Sequence, residues 1–327
     1  MAKLRLTFAA GDYDIVRPLK EGLVDVDGIE LVMLTSIGSR ERHWRMARRA
    51  EFDLCELNVG AYFMARDQGE PLSALPVFLH RRFRHGFIFV NTAAGIREPK
   101  DLIGKRIGGT NFQPASNIWM RGILQEHYGV PHRQNTWVVE RSEDIEFERP
   151  ADLRFEMIPP DKKLDVMLAE GELPAMLSPN MPRRFLQGDK RIVRLFPNYK
   201  QVEIDYYQQT GIFPIMHVTA IKREIVEKYP WAPTNLAKAF EQAKAMAYRR
   251  VANPRVVPLA WVRTAVEEQE RILGPDPWEY GLGERNRHNL GTVLRYAKQQ
   301  GLVKRDLTLD ELFEPTDLDD AGGDEGI

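Results

Sequence analysis

The chain has 327 residues, 43% of them apolar and 28% charged, an ordinary globular balance with room for two α/β lobes. Its 46 basic and 47 acidic side chains sum to a formal charge of -1, so neither nucleic acid nor a membrane surface is an expected partner. A single cysteine excludes a disulfide framework and a thiolate metal site, and Lys3 and Arg5 interrupt the N-terminus before any apolar run of signal-peptide length. With no window of ~18 uncharged apolar residues, a cytoplasmic protein is expected.

Residues 4–8, 29–34, 52–57, 72–78 and 87–90 read as short strands alternating with helical patterns, the signature of an α/β fold. Cys55 falls in the apolar run 52–55 and reads as a packed thiol. Between the second and third strands, Arg40, Arg42, Arg45, Arg48 and Arg49 surround Trp44 and Ala47, predicting a helix with one packed face and the arginines in solvent. A turn at 98–102 opens a new strand–loop–helix unit, with helical spacing over 115–128. There Gly108 and Gly109 permit close backbone approach, and the helix start offers N–H groups to an anion; a plain structural turn is the equal alternative.

Segments 45–57 and 164–177 each run from a helix into an apolar strand and then into polar residues, 56–58 and 178–180, with Gly171 ending the second helix. Ligands of open α/β sheets bind at the carboxyl ends of strands, so Glu56, Ser178 and Asn180 are candidate cleft walls. A further strand at 213–221 precedes helices striped by Leu236, Phe240, Ala243 and Ala247, and by Leu290, Val293, Leu294 and Ala297, the latter capped by Gly301. The acidic tail after Phe313 is expected to fray.

The densest chemical cluster is His80-Arg81-Arg82-Phe83-Arg84-His85. Strand alternation sends Arg81 and Phe83 to one face and Arg82 and Arg84 to the other, so at least one guanidinium faces inward, where a carboxylate or an anionic ligand must meet it. The alternative is a surface hairpin. His85 and His217 lie in or beside apolar strands; each is either a core imidazole or, together with Asp12, Glu56 and the arginines, a proton donor in a carboxylate-binding cleft. His43, His127, His132 and His288 read as surface residues. No HExxH, His-x-His or thiolate pair is present, and a scattered metal site from His80, His85, Glu56 and Asp12 is the alternative to none.

Gly11-Asp12-Tyr13, Phe52-Asp53 with Glu56, the run from Pro76 to His85, Val90-Asn91 to Arg106, Trp119 to Leu124, Arg194 to Pro197, Thr210 to His217 and Asn286 to Arg295 together resemble the 4,5-dihydroxyphthalate decarboxylase family, in the same order, to about Pro315. The resemblance implies a two-lobed type II periplasmic-binding-protein-like α/β fold with a ligand cleft between the lobes. Residues 1–92 with 212–327 would form a discontinuous first lobe and 93–211 the second. It also implies a lyase that removes carbon dioxide from a small aromatic dicarboxylate without an organic cofactor, a divalent metal and a homo-oligomer being left open. On that reading Arg81 and Arg84 bind carboxylate, His85 or His217 transfers the proton, and Asp12 or Glu56 takes the phenolic hydroxyls. His80, Tyr13, Asn111, Phe112, Gln113, Ser178 and Asn180 complete the substrate contacts, while Phe83, Phe112 and Trp119 either sandwich the ring or belong to the core. Leu79-His80, Asn111-Phe112 and Pro174 depart from the family pattern, which points to a relative of dihydroxyphthalate as substrate. The alternative function is a non-catalytic binding or sensing protein for a small anion; another is an enzyme acting on a different anion.

Overall fold

The computed structural model describes residues 2–319. Among them are eleven strands: β1 (Leu4–Ala9), β2 (Ile29–Leu34), β3 (Leu54–Asn58), β4 (Leu72–Arg81), β5 (Ile88–Asn91), β6 (Arg106–Gly109), β7 (Thr136–Val139), β8 (Arg154–Met157), β9 (Ala175–Leu177), β10 (Ile192–Arg194) and β11 (Ile215–Lys222). They form two separate mixed sheets, in the orders β2-β1-β3-β11-β4 and β10-β5-β9-β6-β7-β8. The chain divides into two compact units, one comprising residues up to Arg81, Ile215–Gly291 and Arg305 onward, the other Arg82–Pro214 with Thr292–Lys304. No helix among the described residues is long and apolar enough to cross a membrane.

In the first unit β1 pairs in parallel with β2 and β3, and β11 runs antiparallel between β3 and β4. The alternation of β1 buries Leu6 and Phe8, and Phe8 meets Phe240 edge-on at 5.3 Å. β4 continues three residues past the expected 72–78 and carries Pro76, which has no N–H for a sheet ladder. Between the pairs His217–His80 and Thr219–Leu75, two residues of β11 stand against five of β4, so this irregularity sets His80 opposite His217. β3 does not empty into a polar loop as its sequence suggested: Asn58 caps the helix Val59–Asp67, accepting from Gly60 N–H at 3.0 Å and Ala61 N–H at 3.3 Å. The tail does not fray immediately after Phe313, because Glu314 N–H donates to Ala74 O at 2.8 Å and Asp319 accepts from Leu282 N–H at 2.8 Å. The rest of the tail, 320–327, lies outside the described residues.

In the second unit β6 pairs in parallel with β7 and β9, while β5 runs antiparallel to β9 and β10. Phe89, Val138, Leu164, Leu168, Leu173 and Met176 form its core. The close approach expected at the glycine pair is real: a Cβ on Gly108 would lie 3.0 Å from Leu173 and 3.2 Å from Leu164. The returning segment 292–304 is held to the helix Ala115–Tyr128. A Cβ on Gly122 would sit 2.1 Å from the Tyr296 ring, and Arg121 donates to Gln300 Oε1 at 2.7 Å.

Candidate active site

The strand β3 places Glu56 in the middle of the first sheet, fully buried. An isolated carboxylate there would be strongly disfavoured, and the chain surrounds it with donors. Gly11 N–H at 2.8 Å and Arg42 Nη2 at 2.6 Å donate to Oε2; Tyr13 OH at 2.7 Å and the Nδ1 of His217 meet Oε1. Gly11 is required here, since a Cβ would fall 2.6 Å from the Tyr13 ring that folds over it. Arg42, itself buried, is fixed by a second bond to Ile37 O at 2.9 Å. Burial opposes ionisation of Glu56, but His217, then Arg42 and His43, outweigh it and hold the carboxyl well below the usual range.

An ionised Glu56 only accepts, so His217 must present its proton on Nδ1 and leave Nε2 as the nitrogen that can gain or lose one. His80 lies edge-on to His217 with ring centroids 4.6 Å apart, His43 does the same at 4.8 Å from the other side, and Tyr13 stacks on His80 at 6.3 Å. One carboxylate thus orients one imidazole, with two more imidazoles flanking it.

Glu56, His80 and His217 each offer a ligand atom within 4.8 Å of the others and could hold a metal ion. The donor set has the chemistry, but both Glu56 oxygens already receive two donors, one of them a guanidinium that would repel a dication. The arrangement suits proton handling better than metal binding.

The other candidates fall elsewhere. Asp12 is exposed and bridges Lys20 at 3.0 Å, outside the cluster around Glu56. Arg81 is buried and donates to Glu279 O at 2.7 Å and Asn286 Oδ1 at 2.6 Å, with Phe78 under it. Strand alternation does not extend over 82–84, so Arg81 and Arg84 both turn inward while Arg82 stays exposed. The surface-hairpin alternative therefore does not hold. Nor does a buried guanidinium here need a carboxylate bonded to it: Arg84, in the second unit, donates to Pro179 O at 3.0 Å and lies over Phe87.

Also in the second unit, His85 is buried among Tyr128, Phe196 and Tyr206, with no hydrogen-bond partner on either ring nitrogen, and burial lowers its pKa to about 4. Asn111, Phe112 and Gln113 are buried on the loop before the helix Ala115–Tyr128; Ser178 is buried and Asn180 exposed after β9. Phe112 packs on Arg121, Trp137 and Phe155, and Trp119 meets Tyr296 edge-on, which makes both core residues. Phe83 packs against Phe213 and Tyr207.

Sequence reasoning missed Arg42 and His43, which it assigned to solvent. The buried stripe of their helix, Ser39–Arg49, is Arg42, His43, Met46 and Ala47, while Trp44 is 38% exposed and stacks under Arg49. The signal was the i, i+4 pairing of Arg42 with Met46 and of His43 with Ala47. His132 is likewise buried, bonded through Nδ1 to Gln125 Oε1 at 2.7 Å. Cys55 is buried as expected, its thiol pushed up chiefly by burial.

Comparison with known proteins places this geometry in a lineage. Residues 27–147 match the NMT1/THI5 like family profile. Among solved structures, a periplasmic sulfonate-binding protein of Methylobacillus flagellatus KT aligns with TM-score 0.53 at 12% identity, covering 96% of this chain and 93% of that one. The alkanesulfonate-binding protein SsuA of Xanthomonas axonopodis pv. citri, bound to MOPS, aligns with TM-score 0.51 at 14% identity, covering 93% and 95%. These establish the two-lobed periplasmic-binding-protein-like fold. Two relatives named 4,5-dihydroxyphthalate decarboxylase match in sequence. The Pseudomonas putida protein is 36% identical over 64% of this chain and 83% of its own length. The Comamonas testosteroni protein is 34% identical over 98% of this chain and 99% of its own length, and at that coverage the chain is a member of the 4,5-dihydroxyphthalate decarboxylase family.

Proposed function

We propose that the chain decarboxylates a dihydroxylated aromatic dicarboxylate of the 4,5-dihydroxyphthalate type and releases a dihydroxybenzoate. In such a substrate each carboxylate lies para to a phenolic oxygen. Removing that phenolic proton moves electron density onto the carbon bearing the carboxylate, which is then protonated; loss of carbon dioxide restores the aromatic ring. The chemistry asks for a base, an acid and an environment that tolerates phenolate character.

The observation that carries this reading is the Glu56–His217 pair: a buried carboxylate, kept ionised by Arg42, that fixes an imidazole in one tautomer. We assign His217 Nε2 the phenolic proton and place His80 beside it as the second imidazole through which a proton reaches the ring carbon. Tyr13, tied to Glu56 and stacked on His80, holds the two together. Glu56 acts through His217 and is a positioning residue. Asp12, Arg81 and His85 receive no part in this assignment: the first is engaged by Lys20, the second by Glu279 and Asn286, and the third lies in an aromatic slot. No organic cofactor or metal enters the steps so assigned.

The test is incubation with 4,5-dihydroxyphthalate in heavy water. One equivalent of carbon dioxide per equivalent of dihydroxybenzoate, with one deuterium at the carbon that lost its carboxylate, is the expected result. Stoichiometric binding without product would replace the enzyme by a binding protein.

A further inference from the structure

In the second unit, the loop that leads into the helix Ala115–Tyr128 binds a carboxylate supplied by the chain itself. Phe112 N–H and Gln113 N–H donate to Glu143 at 2.7 and 3.0 Å, and Asn111 Nδ2 donates to the same carboxylate at 3.2 Å. Asn111 and Gln113 are each 1% exposed. Behind the loop the buried guanidinium of Arg121 donates to Phe112 O at 2.6 Å, lies 3.6 Å from the Phe112 ring centroid and interacts electrostatically with Glu143. Two backbone N–H groups, a side-chain amide and a nearby cation make a corner matched to an anion.

A separate observation points beyond Glu143. The Gln113 side-chain amide accepts Ile145 N–H through Oε1 at 3.2 Å, which places that amide against the turn carrying Glu143, yet its Nε2 has no hydrogen-bond partner among the described residues. A buried N–H without an acceptor is unfavourable and rare, so the corner holds one donor more than Glu143 uses. Glu143 itself comes from the stretch between β7 and β8, which contains no helix or strand, so withdrawing it disturbs no sheet or helix hydrogen bonds.

We propose that this corner is a carboxylate-binding site that Glu143 fills as a stand-in, and that a free aromatic monocarboxylate competes with Glu143 for the same donors. The site lies within the second unit and goes beyond the decarboxylation reading, since it needs no reaction. It gives the chain a means of sensing an aromatic acid, with Glu143 setting the threshold.

The experiment uses the full chain and benzoate, which has one carboxylate and no hydroxyl. Calorimetry is expected to show Glu143→Ala binding benzoate at least tenfold more tightly than the wild type, with Glu143→Asp between them. Adding Asn111→Leu to Glu143→Ala is expected to abolish the gain, which locates it at this corner. If Glu143→Ala lowers the melting temperature, benzoate is expected to restore it while moving the wild type less. Equal benzoate affinity in the wild type and Glu143→Ala, a gain that survives Asn111→Leu, or a lowered melting temperature that benzoate does not restore, each overturns the proposal. None of these outcomes depends on turnover of 4,5-dihydroxyphthalate, so the two readings fail separately.

Discussion

In the first unit the buried carboxylate of Glu56 meets a guanidinium and an imidazole at hydrogen-bond distance. In the second, the equally buried guanidinium of Arg121 is met by the Phe112 carbonyl, the Gln300 amide oxygen and the face of Phe112. Both arrangements satisfy a charge taken out of water, but they differ in what they leave available. The ionic cluster fixes the protonation state of one partner, Glu56, and thereby the tautomer of another, His217. The neutral cradle leaves the charge uncompensated: burial lowers the pKa of Arg121 to about 9, and that of Arg84 to about 9, without either becoming a proton donor near neutrality. Proton chemistry therefore belongs with the first arrangement and mechanical anchoring with the second.

The sharpest way to break this contrast is Glu56→Gln. The amide keeps the shape but no longer dictates which nitrogen of His217 carries the proton, so turnover of 4,5-dihydroxyphthalate is expected to fall by about a thousandfold or more. Steady-state rates on protein whose circular dichroism confirms the fold would check it. A loss under tenfold would remove His217 from the assigned role.

Next in size is the pair Arg42→Met and Arg121→Met, compared by urea unfolding. The first leaves an ionised, buried Glu56 without its guanidinium and is expected to cost about 3–5 kcal/mol. It also weakens the force that keeps Glu56 ionised, so the acid limb of the kcat/KM profile should move to higher pH. The second strands only neutral acceptors and loses a ring contact, and is expected to cost about 1–3 kcal/mol. Equal costs would mean that the ionic and neutral cradles are energetically alike.

How far this contrast was legible in the sequence depends on distance along the chain. The strands and helix stripes were readable because their apolar periodicity is local, and the fold and family were readable from motifs such as Gly211–His217. The face of the helix Ser39–Arg49 was misread because five arginines ordinarily mean solvent, and the reason one of them is buried is Glu56, 14 residues away on β3. His80 meets His217 through an irregular register in β4 that Pro76 hints at but does not specify. The anion corner before the helix Ala115–Tyr128 was anticipated as a type of site, while its occupant, Glu143, lies 30 to 32 residues downstream of the donors.

The smallest expected effect is a pH dependence that belongs to the second unit. His85 is held neutral chiefly by burial, with His127 adding repulsion, so its folded pKa of about 4 lies below the ordinary ~6.5 of an unfolded imidazole. Between those values the unfolded chain binds a proton that the folded chain refuses. His85 therefore imposes no penalty above about pH 6.5, and stability is lost as the pH falls from there toward 4. At about 1.4 kcal/mol per unit, the two units down to pH 4.5 amount to at most roughly 3 kcal/mol. Glu203, in the same unit, acts in the opposite sense: burial raises its pKa to about 7, so the folded state gains as the pH falls through that value. His132, lowered by burial to about 4, adds to the His85 trend. Whole-protein acid curves sum these contributions, whereas His85→Phe removes one while filling the slot between Tyr128, Phe196 and Tyr206. The difference between wild-type and His85→Phe unfolding free energies should shift in the variant's favour by roughly 2 kcal/mol from pH 7 to pH 4.5, measured in urea at each pH. A difference that stays constant across that range would show that His85 takes up its proton in place, and that the aromatic slot is less dry than its packing indicates.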